Sequence, residues 1–190
     1  MRLVLASASP RRLDLLARIG VVPDEVLPAE IDETPRRGEL PTAYASRMAA
    51  EKAMTVHSRQ KDALILAADT VVAAGRRILP KTETEAEVRE TLALLSGRRH
   101  RVLSAVILVD EAGAARQRLS TSIVAFKRFS GPELDAYVAS GEWRGKAGGY
   151  AIQGRAEAFV RFLSGSHSGV VGLPLYETRA LLAAAGYPLG

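Results

Sequence analysis

A chain of 190 residues, 47% hydrophobic and 25% charged, has the composition of a globular protein and can bury roughly 70% of its unfolded surface in one domain or two packed lobes. With no cysteine it excludes disulfides, thiolate metal sites and cysteine nucleophiles together, and its longest apolar run, "ALILAADTVVAA", contains an acid and is too short to cross a bilayer. The net charge of +5 gives only a weak bias toward anionic ligands, because acids and bases alternate in segments such as "EAEVRE" and "EKAM".

The N-terminal "MRLVLASASPRR" leads from a short apolar run straight into a helical pattern, which is a poor signal peptide, so a cytoplasmic enzyme or binding protein is expected. "RLVLA" reads as a strand and Pro10 to Ile19 as a helix, with Ser9 placed as N-cap and Pro10 in the first turn. Arg11 and Arg12 follow at once. Free amides at a helix N-terminus favour an anion, and two guanidiniums would add charge-assisted hydrogen bonds. Solvated side chains are the bland alternative. Yet cations at that end oppose the macrodipole by roughly 0.3–1 kcal/mol each, which favours the anion-binding reading.

"AEIDET" brings Glu30, Asp32 and Glu33, and alternation along an extended chain sends Asp32 and Glu33 to opposite sides. Only one of that pair can face a site. A helix from Pro41 to about Val56 carries Lys52, and the strand "ALILAADTVVAA" carries Asp69 among apolar neighbours. An unpartnered carboxylate there is expensive, so Asp69 needs a metal, a cation or a proton, unless it sits at a strand end bonded to backbone. "GRRILPKT" has a superficial likeness to a phosphate-binding loop, but Pro80 stands where the second glycine belongs and the spacing is wrong. Lys52 and Lys81 are candidates for neutralising phosphate, although each read singly is a surface lysine.

A helix from Glu83 to Leu95 follows, with Thr82 and Glu85 at capping-box spacing, and Ser130 with Glu133 marks the start of another over Pro132 to Ala139. Between them, "HRVLSAVILVD" and "QRLSTSIVAFKRF" are successive strands joined by the turn "DEAGAA", which demands an antiparallel hairpin and hence a mixed sheet. The glycine-dense "SGEWRGKAGGYAIQG" is too varied for a linker and reads as an ordered functional loop. Its Trp143 and Tyr150 either stack on a base or pack in the core. "EAFVRFLSG" and a helix from Pro174 to Ala184 complete an α/β or α+β chain with no repeat. His57, His100 and His167 show no ligand spacing, and carboxylates without cysteine or paired histidine suit Mg²⁺ or Mn²⁺.

From about Leu3 to Leu182 the ordered segments "LASASPRR", "IDE", "EKA", "ADTVV", "LSGRRH", "YVASGEWRGKAGGYAIQG" and "GSHSGVVGLPLYET" resemble the Maf family of nucleoside triphosphate pyrophosphatases. "AGGYAIQG" is similar to the branch acting on dTTP and UTP; the branch acting on 7-methyl-GTP carries Glu in place of Gln153. The resemblance implies one elongated domain over 1–190, with a mixed, curved sheet flanked by helices and a central cleft, as in inosine triphosphatases. It also implies a homodimer, a divalent cation (Mg²⁺ or Mn²⁺), and hydrolysis between the α and β phosphates. By motif, Asp69 is the proton acceptor, while Arg11, Thr70 and Gln153 occupy positions implicated in substrate choice. Ser7, Arg12, Lys52 and Lys81 match positions around the phosphates, and Glu33 with Asp69 the metal positions. The chain departs from the family at Pro80-Lys81-Thr82, where Gly-Lys-Pro is common, and at His167 and Gly169, where Tyr and Asn are common.

On this resemblance Arg12, Lys52 and Lys81 neutralise the phosphates, and Gln153 reads the O4 and N3–H edge of uracil or thymine. Two alternatives stand beside it: a regulator of septum formation that binds nucleotide or nucleic acid without turnover, and a pyrophosphatase for modified nucleotides. Nucleic-acid binding calls for several phosphate contacts and a basic groove. The interleaved charges argue against one, so neither a stable nucleic-acid partner nor a membrane is expected.

Overall fold

The computed structural model describes residues 1–189. Leu3–Leu5, three apolar residues with no exposure, form β1, an interior strand of the main sheet, where only a strand apolar on both faces fits. In chain order there follow α1 (Pro10–Arg18), β2 (Glu25–Val26), α2 (Pro41–His57), β3 (Leu64–Ala74), β4 (Arg77–Leu79), β5 (Lys81–Thr82) and α3 (Glu85–Leu95). Next come β6 (Arg99–Val109), β7 (Ala115–Phe126), α4 (Gly131–Ser140), β8 (Lys146–Ala147), a 3₁₀ turn over Arg155–Phe159, β9 (Val160–Ser164), α5 (His167–Val171) and α6 (Leu175–Ala184). Among the described residues no helix is long and apolar enough to cross a membrane.

The main sheet has seven strands in the order β2-β1-β3-β6-β7-β9, with β4 folded back onto β3. β1 runs parallel to β2 and β3, whereas β3, β6, β7 and β9 are antiparallel neighbours, which gives the mixed sheet expected from the "DEAGAA" hairpin. In that turn Asp110 Oδ1 accepts from the amides of Ala112 and Ala114, at 3.0 and 2.8 Å. β5 and β8 pair as a separate two-stranded sheet.

Alternation along β3 divides the core. Leu66, Ala68 and Val72 join Leu3, Leu16, Phe126, Trp143 and Leu181 in one cluster, while Ile65, Ala67, Val71 and Ala73 join Ala45, Met48, Ala49 and Ala53 of α2 in the other. The alanine stripe lets α2 lie close on the sheet, and so sets how far Lys52, on the same helix, reaches toward β3.

Two capping expectations change. The Ser130–Glu133 box forms, but the second box is Thr84 with Glu87, because Thr82 lies in β5 with its hydroxyl donating to the Trp143 carbonyl at 3.0 Å. Ser9 holds the N-cap position of α1 without a side-chain bond, and its own amide donates to Ser7 Oγ at 3.2 Å.

Candidate active site

Past the C-terminal end of β1 opens a cleft of about 420 Å³, walled by the Ala6–Ser9 loop and α1 on one side and by the β5/β8 pair on the other. This is where ligands sit in sheets with parallel strands. The strand ends in Ala6 and Ser7, small enough to leave room. Ser7 Oγ accepts from Arg12 Nη1 at 2.8 Å, and Arg12 Nε donates to the carbonyl of Gly172 at 2.8 Å, 160 residues away. Burial lowers the Arg12 pKa, the nearby Asp69 and Glu33 charges opposing it and Arg11 adding to it. Arg11 is half-buried, its Nε is enclosed without a partner, and burial lowers its pKa as well. Neither arginine is the solvated side chain of the bland reading.

Asp69 lies near the middle of β3 on the face that α2 covers, and only 8% of its surface is exposed. Lys52, expected at the surface when read alone, is 9% exposed; its Nζ contacts Asp69 Oδ1 at 2.6 Å and Glu33 Oε1 at 2.7 Å. Glu33 Oε2 contacts Lys81 Nζ at 2.7 Å. Four charges thus alternate in sign across the cleft. Burial pushes the Glu33 carboxyl up, but hydrogen bonds from Lys52 and Lys81 outweigh it and hold the group at about 2, so it is ionised at neutral pH. Tyr44 fixes this segment by donating to the Glu33 carbonyl at 2.6 Å, and burial with the Asp69 and Glu33 charges pushes its phenol up to about 12. Asp32 turns away and accepts from the amide of Thr34, as alternation requires.

Thr70, one residue on, faces the opposite side of β3. Its hydroxyl lies 2.9 Å from Ser104 Oγ and 3.3 Å from the Gly172 carbonyl. Ser104 donates its one proton to the Gly169 carbonyl at 2.6 Å, so the single Thr70 proton serves Ser104 Oγ and the Gly172 carbonyl and the cleft is offered only a lone pair and a methyl group. Gln153 stands exposed at the rim.

The glycine-dense loop is ordered, but its aromatic residues belong to the core. Trp143 has no exposure and donates from Nε1 to the Val138 carbonyl at 2.8 Å, so it cannot stack on a base. Tyr150 touches the cleft while its phenol is buried against His100 Nε2 at 2.7 Å. Burial lowers the His100 pKa to about 4, so the imidazole stays neutral. None of the three histidines lines the cleft.

Gly148 turns this loop with φ of +68°, and a Cβ there would lie 2.7 Å from Val72 Cγ1. Gly148→Ala is expected to lower stability by about 1–3 kcal/mol and to reduce turnover by displacing Gln153, measured by thermal unfolding and by activity on one sample.

Arg144, Lys146 and the Gly172 carbonyl also line the cleft, and the residue patterns did not single them out. The glycine richness of 140–154 marked the loop but not which of its cations turn inward. Six cations (Arg11, Arg12, Lys52, Lys81, Arg144, Lys146) surround two carboxylates, Glu33 and Asp69, leaving a positive surplus suited to a polyanion.

The described residues hold no cluster of three or more His, Cys, Asp or Glu side chains that could cage a metal. Two carboxylates are nevertheless what Mg²⁺ or Mn²⁺ takes from a protein when phosphate and water supply the remaining oxygens. A carboxylate oxygen that accepts from a lysine keeps a further lone pair. Glu33 and Asp69 therefore fit a divalent cation that arrives with a polyphosphate.

A model of the Maf-like protein family matches residues 2–185. A dTTP/UTP pyrophosphatase of Zymomonas mobilis subsp. mobilis is 65% identical over 187 residues, covering 98% of this chain and 93% of that protein. A dTTP/UTP pyrophosphatase of Sphingopyxis alaskensis is 63% identical over 188 residues, covering 99% of this chain and 98% of that one. A HAM1 protein from Coxiella burnetii superimposes with a TM-score of 0.53 at 19% identity, over 97% of this chain and 99% of its own, a likeness of fold.

Proposed function

This chain belongs to the Maf family, and we propose that its cleft hydrolyses dTTP and UTP between the α and β phosphates, releasing the nucleoside monophosphate and pyrophosphate. The observation that carries this proposal is the convergence of six cations on a buried, lysine-anchored Asp69 in one cleft. A cytoplasmic homodimer completes it, on family resemblance alone.

Arg12, anchored on Ser7 and Gly172, presents its remaining N–H groups to phosphate oxygens without having to reorganise. Lys52 and Lys81 add positive charge where negative charge builds on the bridging and leaving oxygens. Asp69, oriented by Lys52, takes the proton of the attacking water as the P–O bond to pyrophosphate breaks. A divalent cation held by Glu33 and Asp69 supplies charge neutralisation and a more acidic water. The other work is positioning and electrostatics by the chain.

Gln153 presents a donor to O4 and an acceptor to N3–H of uracil or thymine. The 5-methyl group adds only about 1–3 kcal/mol, so both bases are substrates. Gln153→Glu removes the donor and is expected to lower turnover of dTTP and UTP about tenfold or more, with smaller changes for purine nucleotides. A panel of nucleoside triphosphates tests this on both proteins. Equal losses across all bases contradict the base-reading role, and no turnover of any nucleotide by the native chain contradicts the function.

A further inference from the structure

Most cations of the cleft have partners there. Lys52 and Lys81 hold Glu33 and Asp69, and Arg12 is fixed to Ser7 and Gly172. The Arg144 guanidinium lies 4.5 Å from the centroid of the Trp143 ring and reaches the Glu83 carbonyl at 3.5 Å. Two cations are left over. Arg11, in the first turn of α1, has a buried Nε with no acceptor, and Lys146, on β8, donates only to the carbonyl of Arg144 at 3.2 Å. Neither takes part in an ion pair among the described residues.

Resting on the triphosphate reading of the cleft, we propose that Lys146 is a substrate-binding residue which, with Arg11, grips one phosphate group from opposite walls. The two side chains come from the two sides of the cleft, α1 and the β5/β8 pair, and both line it. Two positive charges that line one cleft repel, and the pKa of Lys146 is lowered by burial and further by the Arg11 charge, with only Glu83 opposing. Like charges held together without a carboxylate between them are costly in the free protein, and an anion placed between them removes that cost. The ammonium has three donors and uses one, while the enclosed Nε of Arg11 uses none, so the pair offers hydrogen bonds as well as charge. The ligand class is a phosphate group of a nucleotide. Neither Arg11 nor Lys146 bonds to the Lys52–Asp69 pair that handles the proton, so their contribution is to binding more than to the chemical step.

Steady-state kinetics on dTTP test the grip, with inorganic pyrophosphate as a second probe scored by its protection of the protein against thermal unfolding. Lys146→Met is expected to raise KM about tenfold or more with kcat within about threefold, and to lose most of the protection by pyrophosphate; Lys146→Arg recovers most of both. Because both side chains serve one phosphate, the double variant Arg11→Met with Lys146→Met raises KM by less than the product of the single effects. An unchanged KM and undiminished protection in Lys146→Met, or single effects that multiply fully, overturns the proposal. Failure of the native protein to turn over dTTP refutes instead the reading of the cleft on which it rests.

Discussion

Asp69→Asn is expected to lower turnover of dTTP and UTP by about two to four orders of magnitude, the usual worth of a positioned general base, while the protein stays folded. The size of the effect follows from where the group sits. Asp69 is inside β3, in register with Ala105 of β6, so the backbone pairing that holds it does not depend on its side chain. Asparagine has nearly the same shape and keeps that pairing. Its amide, however, cannot take a proton at neutral pH, and if the nitrogen turns toward Lys52 it places two donors face to face. Unfolding temperature and kcat, measured on one preparation, separate the two effects. Near-native turnover in a folded variant contradicts the role of Asp69 as base.

Lys52→Met is expected to be nearly as damaging to activity and, unlike the first substitution, to destabilise the fold. Its ammonium stands between Glu33 and Asp69, so methionine leaves two carboxylates in a partly buried cleft with Lys81 alone to balance them. Breaking a fully buried pair costs roughly 3–5 kcal/mol, and the cost here is smaller because the Glu33 side chain keeps 37% exposure. The pH dependence has a definite sign. Glu33 is held at about 2 against an ordinary value of 4.5, so the stability it contributes is complete above the ordinary value and is lost as pH falls from about 4.5 to about 2. Losing Lys52 raises the folded-state pKa of Glu33 and shrinks that contribution. The stability gap between native protein and variant should therefore narrow on acidification through that window, as chemical denaturation at neutral pH and near pH 3 would measure. A gap unchanged between those pH values contradicts the proposed coupling.

The long strands are legible as apolar, β-branched runs, buried almost throughout in β3 and β6: the runs place β3, β6 and β7 within a few residues of their ends, and the hairpin between the last two implies the mixed sheet. Asp69 is legible as a charge in an apolar strand, and alternation shows that only one of Asp32 and Glu33 can face a site, while the family resemblance points to Glu33. Contacts between distant segments are not legible. Nothing local to "SPRR" announces that Arg12 is fixed by a carbonyl 160 residues away, and nothing in "EKA" shows that the alanine stripe of α2 brings Lys52 down onto Asp69. The residue types named the chemistry of Lys52 and Lys81, while the fold decided which carboxylates they meet. Thr82 has the right spacing to Glu85 for a cap. The β5/β8 pairing outweighed that local signal and moved the cap to Thr84. Lys146 was invisible for a related reason, since whether it points into the cleft depends on left-handed turns at Gly145, Gly148 and Gly149 and not on a repeat.

Which anhydride bond breaks is decided by the identity of the products. Native protein incubated with dTTP and with UTP, in Mg²⁺ or Mn²⁺, is scored separately for pyrophosphate and orthophosphate, with Asp69→Asn as control. Pyrophosphate and the nucleoside monophosphate in equal amounts, absent from the control, are the predicted result; orthophosphate with a nucleoside diphosphate would place the cleavage at the wrong anhydride and contradict the account.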